Sequence, residues 1–200
     1  MPLQLSAIQV HSNFHQTNQL LQNELDLIKK AQKNPEQFGP LYNKYHEQIF
    51  RYIYQRMDDI ELAHDITAQV FIKALLNITK YEYRGVPFSS WLYRIAKSEL
   101  YQSFRDKKAE RTINIDAINV VAIIDEIESD ETEENKKHLL DSLSLLKEKD
   151  IQLIELRFFE KRSFKEMGEI LELTENNAKV KTFRALEKLK TLFLTKKPAL

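Results

Sequence analysis

Two hundred residues, 42% hydrophobic and 30% charged, suffice for one ordinary domain or two small ones, and thirty basic side chains balance thirty acidic ones to zero net charge. The absence of cysteine excludes a disulfide framework, thiolate zinc sites and a cysteine nucleophile, and fits a reducing compartment. The first basic residue is Lys29 and no run of about 18 apolar residues occurs, so neither a secretory signal nor a membrane insertion is expected and the chain should be cytoplasmic.

The neutral total hides a division along the chain. Residues 1–37 are neutral, 38–111 carry +3, 112–135 carry −8 and 136–200 carry +5. Surface fields act over about 8–10 Å in physiological salt, so either basic block can attract a polyanion locally.

With three Gly, five Pro and apolar residues spaced i, i+3, i+4, i+7, the chain reads as all-α. The periodicity predicts helices over about 18–32, 36–57, 60–78, 88–108, 136–146, 149–159, 163–171 and 175–193, with no strand and no repeat. Residues 1–16 form an extension with no readable role. Two small helical domains follow, 17–111 and 136–200, joined by an acidic linker over 112–135. The linker holds SDETEE and no Lys or Arg, yet Ile113, Ile115, Ile118, Val120, Val121, Ile123, Ile124 and Ile127 can anchor it at points.

In the first domain, His64-Asp65 invites a metal-hydrolase reading, but such a site needs further His and Asp ligands and His46 is the only other histidine of the domain body. Polar residues on the outer face of an amphipathic helix explain the pair more simply. No glycine-rich phosphate loop, GxSxG or zinc-type cluster is present, so neither catalysis nor a cofactor nor a metal site is expected.

The stretch YEYRGVPFSSWLYRIAKSELYQSFRDKK, 81–108, combines aromatic and basic residues unusually densely. On a helix from Phe88 to Arg105, Phe88, Leu92, Ile95 and Ala96 form an inner arc. Arg94, Lys97, Ser98, Tyr101 and Arg105 fall on an opposite stripe, Trp91 sits at the border, and Tyr81, Tyr83 and Arg84 occupy the preceding loop. Rings beside cations suit unpaired nucleic acid, where base stacking adds about 1–3 kcal/mol per base. The same aromatics also fit a core whose polar tips reach the surface. Glu99 lies within the inner arc and requires a partner there.

The second domain contains a helix-turn-helix pattern. Ser163 caps a short helix bearing Phe164, Met167, Ile170 and Leu171, Glu172-Leu173-Thr174 forms the connection, and Thr174 caps a longer helix beginning at Glu175. Ala178, Phe183, Ala185, Leu186 and Leu189 are expected to point inward, and Asn176, Asn177, Lys179, Lys181 and Arg184 outward. Asn, Lys and Arg at the start of such a helix suit base edges and phosphates in a major groove. A solvated charged face fits the same pattern. With three or four helices, this domain alone should be only modestly stable.

DDIELAHDITAQVFIKALLNI (58–78), PFSSWLYRIAKSELYQSFRDKKA (87–109) and LLKEKDIQLIELRFFEKRSFKEMGEILELTENNAKVKTFRALEKLK (145–190) resemble, in order and spacing, the two conserved domains of bacterial RNA polymerase sigma factors. The resemblance is to the extracytoplasmic-function group of the sigma-70 family and covers roughly residues 36–193. It implies a transcription initiation factor with three partners: core RNA polymerase, promoter DNA and, as the family commonly has one, an anti-sigma factor. By the same resemblance Asp65, Gln69, Val70, Phe71 and Lys73 contact polymerase. Tyr81, Tyr83, Arg84, Trp91, Arg94, Lys97, Tyr101 and Arg105 recognise and melt the −10 element, and Asn176, Asn177, Lys179, Lys181 and Arg184 read the −35 duplex. Ala68 and Gln69 stand where the family usually has Gln and Glu, Glu172 replaces a turn glycine, and Lys147 replaces a frequent proline. The acidic linker resembles the family's interdomain connector, its charge serving either RNA mimicry or solubility. The alternative is a stand-alone helix-turn-helix regulator of duplex DNA.

Overall fold

The computed structural model describes residues 18–106, 111–112, 123 and 133–196, and among these it is helical with no strand. Most of the acidic linker and the N-terminal extension therefore lie outside the described residues. The N-terminal half comprises α1 (Asn18–Lys33), α2 (Gly39–Tyr54), α3 (Ile60–Asn77) and α4 (Phe88–Arg105). The C-terminal half comprises α5 (Glu133–Ser144), α6 (Glu148–Ile154), α7 (Phe164–Leu171) and α8 (Glu175–Lys196).

Local chemistry sets most boundaries. Asn34 accepts the Glu36 N–H at 3.0 Å and starts a 3-10 turn, Pro35–Phe38, which splits the predicted 36–57 helix before α2. Asp59 accepts the Leu62 N–H at 2.9 Å and starts α3. The predicted 149–159 helix changes at Glu155, where a π-helical turn Glu155–Phe159 places Glu155 and Leu156 inward. Ser163 and Glu166 form a reciprocal capping box at the start of α7.

Leu41, Tyr45, Ile49, Tyr52 and Ile53 line the buried side of α2, and Ala63, Ile66, Val70, Phe71 and Ala74 that of α3. Phe88, Leu92, Ala96 and Leu100 of α4 complete this core at spacings of four, and Ile95 is only half-buried. In the C-terminal half, Leu139, Leu143, Ile151, Ile154, Met167, Ile170, Ala178, Ala185, Leu189 and Phe193 are buried. Both sets belong to one continuous cluster, because α4 packs on α7. Expected as a small unit of modest stability, the C-terminal half extends its core across the N-terminal half. Ile123, one of the expected anchor points, is fully buried in that cluster.

Candidate nucleic-acid interface

The start of α4 is held by a residue with no local signature in the sequence. Glu24 of α1, buried, accepts the Phe88 backbone N–H at 2.9 Å, the Lys44 ammonium at 2.7 Å and the Tyr45 hydroxyl. A carboxylate on an unpaired N-terminal amide also complements the positive end of the helix dipole. Gln32 pins the preceding loop by donating to the carbonyls of Ile78 at 3.0 Å and Tyr81 at 2.8 Å. Tyr81 then packs against Phe88 and Trp91, with ring centroids 5.0 and 5.1 Å apart. Burial raises the Tyr81 pKa, so its phenol stays protonated. Tyr83 is 43% exposed, and the chain reverses through Gly85 at φ 75°, a conformation glycine adopts without strain.

The cationic stripe forms as expected, but it is not an open surface. Arg94 pairs with Glu169 of α7 at 3.1 Å, Arg84 shares that carboxylate at 3.4 Å, and Lys97 donates to the Ile170 carbonyl at 3.2 Å. Burial lowers the Lys97 pKa, with Glu172 opposing and Arg94 reinforcing the shift. Tyr101 is half-buried and accepts from Arg111 at 3.1 Å, leaving Arg105 and Ser98 exposed. Tyr93 and Ser89, which widen the buried arc of α4 beyond the predicted inner one, are buried against the C-terminal half; the sequence reading of this helix missed them.

Glu99 has the partner its position demands, an ion pair to Lys73 at 2.5 Å. Lys73 is thereby engaged within the chain. Of the other polymerase-facing candidates, Asp65 and Gln69 are exposed on α3. Val70 and Phe71 are corrected to core residues: they fall on the buried side of α3 and no partner reaches them in this form. In its C-terminal half α3 presents Ile72 and Leu76, 56% and 72% exposed and one turn apart, besides Ile60 at its start, 51% exposed. His64 stacks on Phe50 at 4.2 Å, and no group of three potential metal ligands occurs among the described residues.

In the helix-turn-helix, Thr174 accepts the Asn177 N–H at 3.2 Å, and Asn176, Asn177, Lys179, Lys181 and Arg184 are all exposed along one side of α8. Phe183, expected inward, is 37% exposed, its ring 6.1 Å from that of Phe164. The turn carries its strain at Glu172, whose φ of 58° is the left-handed conformation that usually selects glycine at a helix end. The glycine the turn needs is Gly168, where a Cβ would lie 2.8 Å from the Leu173 carbonyl oxygen. Across a cleft of about 1190 Å³, Trp91, Arg94, Lys97 and Arg105 of α4 face Lys181 and Arg184 of α8. Unpaired-strand and duplex candidates thus line one basic cleft.

The family model for Sigma-70 region 2 matches residues 41–110, and that for Sigma-70, region 4 matches residues 142–191. The chain is 26% identical over 171 residues to the ECF RNA polymerase sigma factor BldN of Streptomyces coelicolor, covering 84% of this chain and 65% of BldN. It is 27% identical over 154 residues to SigM of Bacillus subtilis, covering 76% of this chain and 93% of SigM, and 24% identical over 181 residues to SigW of the same organism, covering 86% and 95%. Its fold is similar to that of CnrH solved with the cytosolic domain of CnrY, with a TM-score of 0.56 at 18% identity over 87% of this chain and 99% of that one. A TM-score of 0.52 at 16% identity, over 80% and 98%, relates it to RpoE of Bartonella quintana solved with the anti-sigma factor NepR. Two region models in this order, on a fold that sets a basic aromatic helix beside a helix-turn-helix, place the chain in the sigma-70 family of RNA polymerase sigma factors, within its extracytoplasmic-function group.

Proposed function

We propose that the chain is a transcription initiation factor that binds core RNA polymerase, captures the melted −10 strand through residues 17–111 and reads the −35 duplex through residues 136–200. The carrying observation is the coexistence of two different basic surfaces: a helix edged with rings, Trp91 and Tyr101 beside Arg94, Lys97 and Arg105, and a capped recognition helix bearing Asn176, Asn177, Lys179, Lys181 and Arg184. Rings beside cations suit extruded bases, and Asn with Arg on a helix N-terminal half suits base edges of intact duplex. A stand-alone duplex regulator has no use for the first surface. Polymerase docks on the outer side of α3 through Asp65, Gln69, Ile72 and Leu76, the two apolar side chains supplying the area that a carboxylate at position 69 would supply as charge. An anti-sigma factor is a further expected partner, and the protein acts where polymerase acts, in the cytoplasm, without chemistry of its own.

The test is reconstitution. Purified chain mixed with core polymerase should co-elute with it and give transcripts from promoters of its own genome. Absence of both co-elution and any promoter-dependent transcript would defeat the proposal.

A further inference from the structure

An apolar side chain stands in the middle of the exposed face of the recognition helix. In α8 the buried residues Ala178, Thr182, Ala185 and Leu189 recur along one side. At about 100° per residue, the residue directly across the helix from them is Val180. It is 38% exposed and lies outside the core cluster. Asn176 and Asn177 come one turn before it, and Phe183 and Arg184 one turn after. Lys181, Arg184 and Lys188 turn towards the cleft shared with α4, but Val180 does not line it, so the described residues leave its isopropyl group facing outward.

Neither helix formation nor packing accounts for a valine here. Its branched Cβ is restricted against the preceding turn and makes it a poorer helix former than Ala, Lys or Glu. Left facing water, the isopropyl group gains nothing from burial. It does suit one partner on duplex DNA. Base edges in the major groove present hydrogen-bond donors and acceptors and a single strongly apolar group, the 5-methyl of thymine. Against a guanine or adenine edge, or the cytosine amino group, an isopropyl group strips water from polar atoms and returns no hydrogen bond. Against thymine it meets a methyl group and both lose apolar surface to water. One side chain thus favours thymine and disfavours the other three bases.

The neighbours of Val180 fix where that thymine falls. Burial of Ala178, Ala185 and Leu189 sets the rotation of α8, and the Thr174 cap on the Asn177 N–H orders its first turn. The Phe183 ring leans towards Phe164 of α7 and closes one side of the valine. Asn176 and Asn177 suit adenine edges. They precede Val180 by four and three residues, about 4.5–6 Å of helix, which spans one to two base-pair steps of about 3.4 Å.

We propose that Val180 is a specificity determinant of the −35 element, its isopropyl group contacting the 5-methyl of a thymine within two base pairs of the one read by Asn176 or Asn177. The inference rests on the −35 reading given above and adds to it a residue and a base. Polar side chains on this face set which hydrogen bonds are made, and Val180 sets where an A·T pair must stand with its thymine towards the helix.

The test uses the full-length chain on core polymerase and a promoter from which that enzyme initiates. Deoxyuridine replaces thymine one position at a time on both strands of the −35 element, which deletes the methyl group and leaves every hydrogen bond of the pair. Competition binding should reveal a position at which the replacement weakens the wild-type enzyme about fourfold, the effect of one buried methyl group. Val180→Ala should keep wild-type helicity and Tm, because the side chain is exposed. It should bind the unmodified promoter about fourfold more weakly, and deoxyuridine at the same position should then have no further effect, the non-additivity expected of two groups in contact. An enzyme that protects the −35 region but is indifferent to deoxyuridine everywhere, or whose −35 element lacks an A·T pair, overturns the methyl contact and leaves the proposed function standing. Undiminished sensitivity to deoxyuridine in Val180→Ala gives the methyl group to another side chain and overturns the role of Val180. A wild-type enzyme that leaves the −35 region unprotected defeats the −35 reading itself, and the contact with it.

Discussion

Replacing Glu24 tests whether the N-terminal helix positions the strand-binding helix. Its carboxylate is buried and is the acceptor for Phe88 N–H, Tyr45 O–H and Lys44. In Glu24→Ala the Phe88 amide loses its partner at a buried helix end, costing about 1–3 kcal/mol, and the lost Tyr45 bond adds about 0.5–1.5 kcal/mol. Loss of the charge at the positive end of the α4 dipole adds about 0.3–1 kcal/mol. Lys44 is 37% exposed, so its share is screened and stays below about 1 kcal/mol. A total of about 3 kcal/mol corresponds to a fall in Tm of about 6–12 °C for a chain of this length. Differential scanning calorimetry of wild type, Glu24→Ala, Glu24→Gln and Lys44→Ala reads it directly. Glu24→Gln, which keeps an acceptor but loses the charge, should fall between, and Lys44→Ala should change little. Should Glu24→Ala shift Tm by less than about 3 °C, the helix-start role assigned to Glu24 is wrong.

Ile72→Glu should weaken binding to core polymerase by at least about 1.4 kcal/mol, or tenfold, with an unchanged Tm because the side chain is exposed; equal binding in a pull-down titration would remove α3's apolar edge from the docking face. Arg184→Ala should weaken −35 duplex binding by about 1–3 kcal/mol if the guanidinium reads a base, measured by anisotropy against single-base variants of the duplex. Gly168→Ala should destabilise the C-terminal half by about 1–3 kcal/mol, since the new methyl meets a backbone carbonyl, whereas Glu172→Gly should stabilise it by about 1 kcal/mol by relieving the left-handed backbone; urea unfolding decides both signs.

The helices were legible because their ends are chemically marked: Asp59, Ser163 and Thr174 cap where polar oxygens precede apolar repeats. The inner arc of α4 was legible for the same reason, since Phe88, Leu92 and Ala96 recur at helical spacing. Other positions depended on distant chain. Periodicity announced the inner arc of α4 but not how far its buried side extends, to Ser89 and Tyr93, which are covered by residues about seventy positions away. Arg56 and Arg162 carry no local sign of burial, and only the meeting of the two halves buries them. In α3, Val70, Phe71, Ile72, Leu75 and Leu76 are apolar on nearly every side, so the pattern left its rotation undetermined, and the resemblance that named Val70 and Phe71 as contacts could not show that both are buried while Ile72 and Leu76 are exposed. Glu24 carries no local signal at all, because its task is set by an amide 64 residues further on.

The central claim is that unpaired bases rest on α4 while intact duplex is held by α8. Permanganate footprinting of a cognate promoter with core polymerase and the wild-type chain should reveal reactive thymines across the −10 element. With folded Trp91→Ala those thymines should become protected while −35 protection from nuclease persists. Undiminished thymine reactivity with Trp91→Ala, or loss of −35 protection together with it, would contradict the division of labour.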